Sequence, residues 1–178
     1  MKEFMRAVGV VVCIFLFIAC AAKKPPPVEW TPGPEEITIE LKNDGQLNLV
    51  EGMPHTLLIC VYQLNNQNSF NQMSVDQEGL RKLLECNLFD GSVASSKKII
   101  AYPGQNQTFI LDRAEGAKYV AVVAGYYQLV KERVVRIFDI PTVIDKKGII
   151  KRSLTHKAAP LDMVIHLGAK QLQMVEGK

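Results

Sequence analysis

The sequence predicts a mainly β domain, a two-sheet antiparallel β-sandwich with one short inserted helix. Three observations predict it. Several short segments place apolar residues at every second position, as half-buried strands do. Turn dipeptides such as Asp44-Gly45 and Pro103-Gly104 separate these segments. Helical spacing appears in a single window, residues 74–86. Seven or eight short strands around one helix suggest two packed sheets.

The chain begins with a segment outside that domain. Met1 to Arg6 carries Lys2 and Arg6, and Ala7 to Phe17 is an almost unbroken apolar run. A positive start before roughly 7–15 apolar residues reads as a secretory signal, and the run is shorter than the ~20 residues of a membrane span. Ile18, Ala19 and Cys20 then resemble the bacterial lipobox, with Phe17 where Leu is preferred. Residues 1–19 are expected to be a lipoprotein signal peptide, and Cys20 to be acylated after cleavage. A chance cysteine behind an ordinary signal, or an uncleaved anchor, is the competing reading.

Residues 20–35 hold five prolines. Proline fixes φ and removes the amide donor, so this stretch reads as an extended spacer. Ala21 stands where an Asp would resemble an inner-membrane retention signal. The expected location is the periplasmic face of the outer membrane, held by the lipid. Residues 36–178 remain for the sandwich.

Within it, Ile37, Ile39 and Leu41 alternate with Thr38, Glu40 and Lys42, and Leu57 to Leu64 is more uniformly apolar. Ser74 and Gln77 form a capping-box pair ahead of Leu80, Leu83 and Leu84, which predicts the helix over 74–86 despite Gly79. Strands follow at 97–102, 107–112, 118–128 and 133–140. The central one, KYVAVVAGYYQ, is the most apolar stretch after the leader. A turn at Asp145 to Gly148 leads to a strand at 149–154. Leu161, Met163, Ile165 and Leu167 alternate in the last one.

Cys13 falls in the leader and Cys20 is assigned to lipid, so Cys60 and Cys86 remain in the domain. A disulfide between them would suit an oxidising compartment and stabilise the fold by roughly 3 kcal/mol. Two separate thiols are the alternative.

Charge and motifs narrow the function. The whole chain has a net charge of +3, and Lys2, Arg6 and Glu3 leave with the leader. A near-neutral domain has no electrostatic footprint for nucleic acid. His55, His156 and His166 have no metal-ligand spacing, and no P-loop, GxSxG or GxGxxG is present. Asp139 and Asp145 both lie near turns and do not by themselves indicate acid–base work. No catalytic, cofactor-binding or metal residues are assigned, and no cofactor or small-molecule substrate is expected.

A family resemblance rests on an ordered set of residues: Leu47-Asn48, Gly52, Pro54, Tyr62-Gln63-Leu64, Phe70, Pro103-Gly104, Tyr119 and Val122-Val123-Ala124. Behind a lipobox and a proline spacer, this order resembles the TssJ (SciN) family of type VI secretion system outer-membrane lipoproteins. The resemblance runs from about Ile37 to Ile140. Val134 stands where the family often has Trp, and Cys60 where a basic residue is common. What the resemblance implies is a transthyretin-like sandwich without catalysis, docking the periplasmic C-terminal region of the inner-membrane protein TssM. The implied contact is the loop after the first strand, here Leu49, Val50, Glu51, Gly52, Met53 and Pro54.

Apolar side chains on a loop shaped by Gly and Pro would bury area against a partner. In the competing reading, Gln46 to Val50 is a hairpin strand with Leu47 and Leu49 facing the core. The alternative function is a sandwich lipoprotein binding a small ligand or cell-wall glycan. Aromatics are only 7% of the chain and the single tryptophan, Trp30, lies in the spacer, which weighs against a stacking platform for sugars.

Overall fold

The computed structural model describes residues 26–147 and 153–177. Eleven strands and three short helices occur among them, in the order β1 (Val28–Glu29), β2 (Gly33–Asn43), β3 (Leu57–Leu64), α1 (Asn68–Met73), α2 (Gln77–Leu83), β4 (Val93–Ala101), β5 (Gln107–Arg113), β6 (Tyr119–Ala124), α3 (Lys131–Val134), β7 (Val135–Asp139), β8 (Thr142–Lys147), β9 (Ser153–Ala158), β10 (Leu161–Leu167) and β11 (Leu172–Gly177).

Two four-stranded sheets form the sandwich, ordered β11-β10-β2-β5 and β4-β3-β6-β7. The second is antiparallel throughout. The first contains one parallel pair, β2 with β10, from Ile37↔Leu161 to Asn43↔Leu167. That pair departs from the all-antiparallel expectation. Both strands show clean period-two patterning, which fixes the face each residue takes but not the direction of its neighbour.

The alternation places the core. Ile37, Ile39, Leu41, Leu161, Met163, Ile165 and Leu167 are all buried, as their spacing predicts. They join one cluster with Ile59, Val61, Val120, Val122 and Ala124 of the facing sheet. Burying each such side chain is worth ~1.5–3 kcal/mol relative to leaving it exposed. Gln63 spans the sheets by hydrogen bonds, its Nε2 donating to the Asp112 carbonyl (2.8 Å) and its Oε1 accepting from the Ala114 amide (2.7 Å).

The central strand β3 is apolar on both faces because both are covered. Ile59, Val61 and Gln63 face the other sheet; Cys60, Tyr62 and Leu64, alternating with them, lie under the helical insertion. Tyr62 packs edge-on against Phe70, with ring centroids 5.9 Å apart, and its hydroxyl donates to the Leu83 carbonyl at 2.5 Å. Cys60 and Cys86 are joined in a disulfide, with Cα atoms 5.2 Å apart.

Of the helix predicted over 74–86 only α2, residues 77–83, forms, and a second helix, α1, precedes that window. Ser74 ends α1, with its hydroxyl donating back to the Asn71 carbonyl. Asp76 caps α2 by accepting from the Gly79 amide at 2.8 Å. A carboxylate in extended backbone geometry at position 76 outcompetes the capping box read from Ser74, so Val75 is left exposed.

The central strand ends at Ala124 rather than Gln128: the Gly125 amide makes one more bond to the Leu58 carbonyl, and the Tyr126 amide then turns back to the Ala124 carbonyl at 3.0 Å. A third, small sheet, β1-β9-β8, was not anticipated. The segment read as spacer is bound to it in part. Val28 and Glu29 pair with His156 and Lys157, and Gly33 already belongs to β2. Its non-proline residues keep donors and acceptors that an adjacent strand can satisfy. Residues 1–19 and Cys20 lie outside the described residues, as does most of the strand expected at 149–154.

Candidate functional site

Asn43 fastens the end of β2. Its side-chain amide donates to the Tyr102 and Gln105 carbonyls, and its backbone amide donates to Asn106 Oδ1. The Gly104 amide in turn donates to the Asp44 carbonyl at 3.0 Å, so the Pro103-Gly104 turn buttresses the loop that follows. Leu47 then drops into the core, fully buried. The core reading of Leu47 is therefore the right one, while Leu49 is only half-buried.

Beyond Leu47 the chain forms a small projecting hairpin. Val50 and Met53 exchange both backbone hydrogen bonds at 2.9 Å. Glu51 and Gly52 between them have φ of 51° and 80°, the positive pair that a two-residue hairpin turn of the primed type requires. Leu49 donates its amide to Ala169, and His55 donates its amide to Leu47, closing the base. Asn48 Nδ2 donates across the loop to Thr56. The loop is thus held at its base and crossed by its own bonds, which lowers the ordering cost of binding through it.

The six residues singled out in the sequence fall on this projection. Glu51, Gly52, Met53 and Pro54 are exposed, Met53 at 58%. Leu49 and Val50 line the near wall of a depression of about 190 Å³. Tyr126, Tyr127, Ala169 and Lys170 form the far wall. Sequence reasoning missed this second wall. Tyr126 is a core residue whose hydroxyl donates to the Gln171 carbonyl (2.9 Å), and burial pushes its phenol well above the usual tyrosine range. Tyr127, its neighbour, is 79% exposed. The adjacent tyrosines after a central strand were the available signal, and only the return of the chain through Ala169 and Lys170 makes a wall of them.

The arrangement offers a surface for contact. Among the described residues no three His, Cys, Asp or Glu side chains converge to hold a metal ion. His55 is turned to the Met53 carbonyl, and His156 lies between the Pro26 carbonyl and the Thr142 hydroxyl. No described helix is long and apolar enough to cross a membrane.

Comparison with known proteins gives the family. The family model T6SS-SciN, described as type VI secretion lipoprotein (VasD, EvfM, TssJ), matches residues 35–169. No curated protein matches at the sequence level. Among solved structures, the fold is similar to the type VI secretion lipoprotein TssJ1 of Pseudomonas aeruginosa, with TM-score 0.58 and 18% identity over 82% of this chain and 97% of that one. It is similar also to Serratia marcescens Lip, a membrane-bound component of the type VI secretion system, with TM-score 0.54 and 19% identity over 79% and 96%. A chain in the structure of the TssM C-terminal domain from EAEC gives TM-score 0.56 and 16% identity over 77% and 94%. Identities this low speak for the fold alone, but the family model covers most of the chain and, of the two sandwich sheets, leaves out only β11 and the start of β2. The chain belongs to the type VI secretion lipoprotein family of TssJ and SciN.

Proposed function

We propose that this lipoprotein docks the periplasmic C-terminal region of a TssM-like inner-membrane protein and so anchors a trans-envelope complex to the outer membrane. The observation that carries the reading is the projecting hairpin at Val50–Met53. It presents an exposed Met53 on a turn braced by paired backbone bonds, beside a depression walled by Tyr127 and Lys170. An exposed apolar side chain beside a recess suits a partner's surface better than a soluble metabolite. The depression is smaller than the ~300–1,000 Å³ of ordinary ligand pockets, so it suits a single side chain of a partner.

Cys20, acylated, is the membrane end of this device, and Leu49 to Pro54 the partner end. The test is a titration of the chain with the TssM-like periplasmic region from the same bacterium. Met53→Asp is expected to weaken binding at least about tenfold, because a charge at the centre of an apolar contact costs more than 1.4 kcal/mol. Thermal unfolding should be unchanged, since Met53 is exposed. Equal affinities for the two chains would overturn the assignment of the loop.

A further inference from the structure

The fold treats its methionines unequally. Met163 of β10 points into the core and is 1% exposed. Met73, the last residue of α1, is half-buried against the same core. Met53 follows the turn of the docking hairpin and is 58% exposed. A thioether is oxidised only where the oxidant can reach sulfur, so these three sites differ in reactivity in the order of their exposure.

Thiols would compete for the same oxidants, because a thiolate is the stronger nucleophile. Here they are withdrawn. Cys60 and Cys86 are the only cysteines among the described residues, and they are bonded to each other. Among the described side chains, Met53 is therefore the most accessible reduced sulfur.

The hairpin does not depend on that sulfur for its shape. Val50 and Met53 are joined through backbone amides and carbonyls, and the Leu49 amide donates to the Ala169 carbonyl. His55 Nδ1 lies 2.9 Å from the Met53 carbonyl oxygen, again a main-chain atom. Oxygen added to the sulfur leaves each of these bonds in place. What changes is the surface that a partner meets. A thioether is apolar, whereas a sulfoxide carries a strong dipole that costs free energy when it is buried without a hydrogen-bond donor.

We propose that Met53 is an oxidation site, through which a peroxide weakens docking without unfolding the domain. This rests on the reading of the hairpin as the partner contact. The Met53 sulfur attacks one peroxide oxygen with its lone pair, the S–O bond forms and the O–O bond breaks. The departing hydroxide takes the proton of the transferred oxygen and leaves as water, so the thioether loses two electrons and the peroxide gains them. A methionine sulfoxide reductase reverses the change, its dithiol becoming a disulfide as the oxygen departs in water. The exposure that admits the peroxide also admits the reductase.

The mature protein would be treated with hydrogen peroxide, cleared with catalase and titrated with the untreated TssM-like periplasmic region. Met53→Leu would be carried through the same steps, since leucine keeps the apolar volume and has no sulfur. Peptide mass mapping is expected to find the added oxygen on Met53 before Met73 or Met163. Parental affinity is expected to fall about fivefold, with thermal unfolding unchanged, and to return after reductases for both sulfoxide epimers. Met53→Leu is expected to keep its affinity throughout. Oxidation of Met53 no faster than that of Met163, or equal losses in the two chains, would overturn the proposal. An oxidised parent that binds as before, while Met53→Asp still weakens binding, would overturn it and leave the docking reading standing. An untreated parent that does not bind the TssM-like region would overturn both.

Discussion

The Arg113 guanidinium grips the Thr31 carbonyl twice, through Nε at 3.1 Å and Nη2 at 2.9 Å. Its third nitrogen pairs with the Glu36 carboxylate, and only 3% of the side chain is exposed. A β5 residue thereby holds the segment that enters β2. Gly33 makes room for it, because a Cβ there would lie 2.4 Å from the Glu36 carboxyl carbon. Any pull on Cys20 reaches the sandwich through this clasp and the short β1–β9 pairing.

Arg113→Ala removes three donors from a nearly closed site and leaves the Glu36 carboxylate without its partner. The expected loss of stability is about 3 kcal/mol, read by urea denaturation. Amide exchange at residues 28–33 should accelerate more than at the buried core of β3. Arg113→Lys should rescue only part of the loss, since an ammonium cannot reproduce the fork that spans Thr31 and Glu36.

Gly79→Ala tests the helical insertion against intrinsic propensity. In an exposed helix interior the change would stabilise by about 1 kcal/mol. Here the added Cβ would fall 1.9 Å from the Met73 carbonyl oxygen. The sign should therefore reverse, with a loss of about 1–3 kcal/mol as α1 and α2 are forced apart. A variant more stable than the parent would show that the two helices separate readily.

Removal of the Cys60–Cys86 crosslink, by Cys60→Ala with Cys86→Ala or by reductant, should lower stability by about 3 kcal/mol. The insertion covers Tyr62 and Leu64, so near-ultraviolet circular dichroism should report a looser Tyr62 environment. Affinity for the TssM-like region should change little, because the docking loop is braced by separate hydrogen bonds.

Alkaline pH should expose the role of Tyr62. Burial raises its phenol from 10.0 to about 12. The unfolded chain releases this proton first, so its contribution is complete below pH 10 and is lost as pH rises from 10 to about 12. Tyr62→Phe should flatten the fall in stability in that window. It should also cost about 1–2 kcal/mol at neutral pH through the lost bond to Leu83.

Cys20→Ser separates anchoring from docking. The variant is expected to fold and bind the TssM-like region with parental affinity, yet to fail in secretion when it replaces the parent in the cell. Secretion that persists with the domain released from membranes would overturn the anchoring role.

Alternation alone put Ile37, Ile39 and Leu41, and Leu161 to Leu167, on the core face. The reason is local: a period of two marks a strand with one buried side, wherever its neighbours lie. The family was legible too, because the order of short motifs along the chain is itself a sequence property. What the tertiary structure decided involves partners distant in the chain. Nothing local to β2 specified that β10 would run parallel to it, or that Arg113 would reach Thr31. Cys60 and Cys86 could be paired only once the insertion had folded over β3. Tyr127 and Lys170 face Leu49 and Val50 across a depression because three separate turns end at the same edge of the sandwich. Burial pattern is written residue by residue, whereas adjacency between segments is fixed only when the whole core closes.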